Sequence, residues 1–124
     1  MGSSFSPYSH VARVKASEFL FIAGQVSTDD KSNIVGADDF DEQCRQVFAN
    51  IQTALASEGA DWSHVFQFTS YLVDPADIPR FHTWRVQELP KLFGGKSYPT
   101  NTLLIVDRLV RPEFRVEVQA IAAI

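Results

Sequence analysis

The sequence predicts an α+β domain, with two amphipathic helices packed on one face of a sheet. Three observations carry this expectation. Residues 39–58 repeat apolar side chains at helical spacing. A second helical stretch starts at an Asp-Pro pair near residue 74. Short segments of strand character surround both, giving the order ββαβαββ.

Taken in order, residues 11–16 and 19–26 are strand candidates split by Ser17-Glu18. Phe19 to Val26 is almost continuously apolar, as in a strand buried on both faces. Ser27 to Asn33 is a polar turn. Phe40, Cys44, Val47, Phe48, Ile51, Ala54 and Leu55 then form one helical stripe. Asp39 followed by Glu42 resembles a capping box, and Gly59 is a natural stop. Val65 to Val73 is rich in β-branched and aromatic residues, which suits a strand. Asp74 is the expected N-cap of the second helix, with Pro75 at its first position. Ile78, Phe81 and Trp84 begin its apolar stripe, and Pro90 is expected to end or kink it. Gly94-Gly95 is a loop, and Thr100 to Val106 is the next strand. In the last strand, Arg115 to Ala123, the residues Val116, Val118 and Ala120 point one way; Arg115, Glu117 and Gln119 point the other.

Length and composition fit one domain over residues 1–124, with no internal repeat. Apolar types make up 45% and charged types 21%, enough apolar surface to exclude a disordered chain. Ten Phe are a heavy aromatic load, which implies a Phe-rich core or apolar surface covered by another subunit. The net charge is −4 and no basic run exists, so nucleic acid is not an expected partner. Cys44 is the one cysteine and has no disulfide partner, which fits a reducing compartment. No basic segment followed by an apolar stretch marks the N-terminus as a signal peptide. The longest apolar runs are too short to span a bilayer. The expectation is a soluble cytoplasmic protein that does not engage membranes.

The chemistry-bearing residues are few. Cys44 sits on the apolar helical stripe, so its thiol reads as buried and structural. His10, His64 and His82 lack metal-ligand spacing, so no metal site is expected. Gly94-Gly95 lacks the residues of a phosphate loop, so nucleotide cofactors are not indicated. Glu117 is more informative. In a strand of Val and Ala it is either solvated on an exposed sheet face or lines a cleft where partial burial tunes it for proton transfer. Arg108, Arg111 and Arg115 form a short basic segment, solvated or paired across a subunit boundary.

Several segments together resemble the Rid family, the reactive intermediate deaminases also called YjgF. They are Pro7-Tyr8-Ser9-His10, Phe21-Ile22-Ala23-Gly24-Gln25-Val26, the helix from Cys44 to Gly59, Thr69-Ser70-Tyr71-Leu72-Val73-Asp74, and Val116-Glu117-Val118-Gln119-Ala120-Ile121-Ala122. The resemblance runs from about residue 6 to residue 123. It implies a chorismate-mutase-like fold with a mixed sheet, and a barrel-like homotrimer with clefts between subunits. Archetypal members hydrolyse small reactive imines and enamines to ammonia and a 2-oxo acid, without metal or organic cofactor. Carried over by position, Glu117 matches the glutamate that positions the attacking water, and Tyr8 matches a tyrosine lining the cleft. Ala23-Gly24 matches the segment whose backbone faces the ligand.

Departures cluster in Pro99-Thr100-Asn101-Thr102-Leu103. Asn101 stands where archetypal members carry the arginine that grips a substrate carboxylate. Leu103 stands where many carry cysteine, and Pro90 interrupts a helix that lacks proline in the archetype. Losing a buried charge-assisted contact costs about 2–5 kcal/mol of binding. Three outcomes follow. Asn101 hydrogen-bonds a different imine or enamine; or Arg85 or Arg108 supplies the charge; or the fold persists as a non-catalytic ligand-binding or regulatory trimer. An older family label, endoribonuclease, is opposed by the acidic charge.

Overall fold

The computed structural model describes residues 1–124. Its elements are β1 (Phe19–Gln25), α1 (Phe40–Ser57), β2 (Val65–Leu72), α2 (Ile78–Phe93), β3 (Thr100–Ile105) and β4 (Val116–Ala123). The strands form one sheet in the order β1-β4-β2-β3. β4 pairs antiparallel with β1 and with β2, while β3 runs parallel to β2. That parallel pair requires a crossover, which α2 provides. The fold class is therefore α+β with a mixed sheet, as expected.

Both helices lie on one face of the sheet. Phe40, Cys44, Val47, Phe48, Ile51 and Leu55 of α1 are buried against Val116, Val118, Ala120 and Ala122 of β4 in one core cluster. Phe48 is its aromatic centre, with ring contacts to Trp62, Phe68 and Trp84. The opposite face is bare in the protomer. Consequently Phe19 to Val26 is not buried on both faces: Phe21 is 76% exposed, while Leu20 and Ile22 pack against the core.

Residues 11–16 form no strand. β-propensity holds a strand only where backbone groups find partners, and residues 11–16 pair with neither edge strand of the sheet, β1 nor β3. The N-terminal chain pairs instead through Ser9, which bridges Thr100 at the start of β3.

The helix ends follow the sequence closely. Asp39 caps α1 by accepting the Glu42 backbone N–H at 3.1 Å. The reciprocal half of the box is missing, because the Glu42 carboxylate turns to Arg45. Gly59 adopts φ +71° just past α1, the left-handed geometry that glycine favours. Asp74 caps a short 3-10 turn, Pro75–Asp77, accepting the Ala76 N–H at 2.9 Å, and α2 follows. Ile78 lies on the exposed side rather than in the stripe. Pro90 neither ends α2 nor marks its last residue: the helix continues to Phe93. Proline is tolerated there because Pro90 and Val86, whose carbonyl its missing N–H leaves free, both face solvent.

Arg115 does not join Glu117 on the bare face. It pairs bidentately with the buried Asp77 at the start of α2, through Nε at 3.1 Å and Nη2 at 2.5 Å. Its guanidinium also lies 5.3 Å from the Phe40 ring centre. Buried Gln43 fixes the entry to β4 by accepting the Arg115 N–H and donating to the Glu113 carbonyl. Arg111 pairs with nearby Glu113.

Candidate functional site

The residues singled out by sequence fall into two groups on opposite faces of the sheet. On the bare face, β1 carries an irregularity. Ile22 pairs with Ala120 and Gln25 with Val118, so Ala23 and Gly24 together oppose Gln119. This is the two-against-one count of a β-bulge. The Glu117 carboxylate lies directly over Gly24. A Cβ at that position would sit 2.0 Å from Glu117 Oε2. Partial burial pushes the Glu117 pKa above the ordinary carboxylate value. It is the sole cause, with no hydrogen bond or cation holding the charge. Tyr71 is the strand partner of Glu117, and its hydroxyl donates to Gln119 Oε1 at 3.1 Å.

The second group lies on the helical side, at the free edge of β3. Asn101 pairs in register with buried Phe68, which turns its side chain toward α2. Here Ser6, Tyr8, His82, Arg85, Asn101 and Leu103 line a cavity of about 640 Å³. The Ser9 bridge to Thr100 brings Tyr8 to this edge. Ser70 donates to Asn101 Oδ1 at 2.8 Å. Ser6 Oγ lies 2.5 Å from His82 Nδ1 and accepts from Arg85 Nη2 at 3.3 Å.

Of the two arginines considered as replacements for the family's cation, Arg85 reaches the cavity and Arg108 does not. Arg108 donates to the carbonyls of Leu109 and Val110 in an exposed loop. His82 also lines the cavity, although no metal-ligand spacing marks it in the sequence. Cys44 is fully buried and its thiol is pushed well above its ordinary pKa, so it is inert. His10 lies on the surface, and His64 serves the capping box of a 3-10 turn.

Two helices over one face of a four-stranded mixed sheet, with a bare second face, place the chain in the Rid/YjgF structural class. The family described as endoribonuclease L-PSP matches residues 2–124, and the chain belongs to this family, the Rid/YjgF group. RutC family protein PH0854 of Pyrococcus horikoshii is 34% identical over 116 residues, spanning 94% of this chain and 86% of that protein. A human protein named 2-iminobutanoate/2-iminopropanoate deaminase is 28% identical over 119 residues, spanning 96% and 81%. Among solved structures, the Rid-family protein YyfB of Yersinia pestis superposes with a TM-score of 0.85 at 28% identity, covering 95% of this chain and 87% of that one. No helix of the chain is long and apolar enough to cross a membrane.

Proposed function

We propose that the chain hydrolyses a small reactive imine or enamine, releasing ammonia, in clefts between copies of itself. The observation that carries this reading is Glu117: an unpaired, half-buried carboxylate pressed against the Gly24 backbone. A carboxylate held without a cation and raised in pKa is suited to take a proton from water. The kinship with proteins named as imine deaminases supports the same chemistry.

In this reading Glu117 deprotonates a water that adds to the C=N carbon. Hydroxide adds to carbon as nitrogen takes that proton back from Glu117, giving the carbinolamine. Glu117 then moves the hydroxyl proton to nitrogen, and ammonia leaves as the carbonyl forms; an enamine first tautomerises to the imine, losing a proton from nitrogen as one is added to carbon. Tyr8 and Asn101 hydrogen-bond the substrate. Leu103 and the Ala23-Gly24 backbone form the walls. No metal or organic cofactor enters these steps.

The two groups of residues sit on opposite faces of the sheet, so one protomer does not bring both to one small molecule. A second copy docked on the bare face can set its β3 edge beside Glu117. The exposed Phe19 and Phe21 on that face support such docking, and a closed ring of three copies repeats it without a free end.

The test follows ammonia release from an enzymatically generated iminopyruvate-type imine and from an aminomuconate-type enamine. Wild type should accelerate release from at least one, and Glu117→Gln should slow it about 10²–10⁴-fold. No acceleration with either substrate sinks the hydrolase reading; binding without turnover then favours the ligand-binding trimer.

A further inference from the structure

We infer that Arg85 is the anion anchor of the edge cavity: its guanidinium grips a carboxylate of the bound small molecule, with Asn101 donating beside it. This deepens the proposed function and rests on it for the identity of the reaction. It transfers the carboxylate-binding task from a β3 position, where this chain has Asn101, to the inner face of α2.

Four observations carry the assignment. First, Arg85 is 7% exposed, yet no carboxylate pairs with it; the buried acid nearby, Asp77, is taken by Arg115. A buried, unpaired cation is costly to a fold, so its presence at a cavity wall points to an external counter-ion. Second, the cavity lining holds no acidic residue, so nothing in it competes for the charge.

Third, the guanidinium is already oriented. It stacks 4.2 Å from the Phe81 ring centre, and Nε donates to the Phe81 carbonyl at 3.4 Å. Nη2 spends one N–H on Ser6, and Nη1 donates to no protein atom. No unpartnered polar side-chain atom of the chain is sealed from solvent, so Nη1 keeps an open side, and Arg85 is a lining residue of the cavity. Stacking and the Nε bond thus leave the Nη edge for a planar, two-oxygen anion, the geometry a guanidinium fits best. Fourth, Ser70 occupies Asn101 Oδ1, leaving the Nδ2 donor without a partner in the same cavity. Burial pushes the Arg85 pKa down to about 10, which keeps the group charged at neutral pH while marking its loss of water. A bound carboxylate restores what that burial removed.

The test uses pyruvate, a product-like 2-oxo acid, and its neutral amide, pyruvamide, as probes in titration calorimetry. Wild type should bind pyruvate at least tenfold more tightly than pyruvamide. Arg85→Gln should abolish this preference while leaving pyruvamide affinity within about twofold, with circular dichroism confirming a folded protein. Arg85→Lys, which keeps the charge but loses the fork, should retain only part of the preference. Should Arg85→Gln fail to fold, side-chain NMR of wild type decides: the Arg85 Nε–H signal should shift with pyruvate and stay with pyruvamide. The inference is overturned if wild type shows no preference, if Arg85→Gln keeps it, or if the NMR signal ignores bound pyruvate. Its failure is distinct from failure of the hydrolase reading. Glu117-dependent ammonia release without pyruvate binding removes the anchor alone. Pyruvate binding without ammonia release removes the hydrolase alone.

Discussion

At Gly24, the missing side chain lets the Glu117 carboxylate lie against β1. The blocking atoms belong to the far end of a flexible glutamate, so Gly24→Ala relieves the clash by swinging the carboxylate aside. Folding should therefore change little, with Tm within about 2 °C of wild type, a shift well under 1 kcal/mol. Ammonia release should fall at least tenfold, because a carboxylate displaced by about an ångström no longer addresses the same water. Unchanged turnover would detach Gly24 and Glu117 from the chemistry. Both residues were legible in the sequence, Glu117 as a lone acid in a Val-Ala strand and Gly24 through the family resemblance. Arg85 was legible in a different way. It follows the buried Phe81 by four residues and precedes the buried Leu89 by four, so helical spacing alone turns it inward. What spacing does not reveal is whether an inward arginine meets an acid. That depends on Asp77 being claimed by Arg115, a contact between distant segments.

The elements were legible wherever one face is apolar and the partner is close in sequence. α1 follows its stripe and its caps, and β4 follows its alternation. Strand order was not legible, since β1 reaches β4 across nearly the whole chain and β4 inserts between β1 and β2. Residues 11–16 have strand composition, but they pair with neither edge strand, β1 nor β3, so composition alone did not make a strand. Pro90 does not end α2, because proline's cost depends on whether the groups it orphans stay wet, and both Pro90 and Val86 are exposed. Part of that cost remains in the fold. Pro90→Ala restores the N–H at an exposed site and should stabilise the protein by about 1–3 kcal/mol, less than the full interior penalty because the last turn is near. Chemical denaturation at fixed protein concentration measures this as a higher midpoint at unchanged slope. A midpoint at or below that of wild type would mean that the last turn of α2 has already relaxed around the ring.

For the whole molecule, the decisive feature is the uncovered sheet face. Apart from Phe5, which lies exposed at the edge cavity, the ten Phe divide between a buried set around Phe48 and a bare surface where Phe19 meets Phe66 edge-on, with ring centres 6.0 Å apart, and Phe21 projects beside them. Exposed aromatic side chains on a sheet face mark a surface that another chain covers. Polar Glu117, Gln119 and Tyr71 occupy the other end of that face, and in the proposed assembly a copy docked on the aromatic end would set its edge cavity toward the carboxylate. Light scattering of wild type should then give about three times 13.9 kDa. Phe21→Asp places a charge where a partner must pack but where the protomer leaves the ring in solvent. It should yield a folded species near 13.9 kDa, with circular dichroism unchanged. Ammonia release should vanish with the assembly although Glu117, Tyr8, Arg85 and Asn101 are all intact. A wild-type monomer would leave the two groups of residues separated by the sheet and remove the shared cleft. A trimer that survives Phe21→Asp would put the contact on another surface, and the catalytic pairing would have to be drawn through that surface instead.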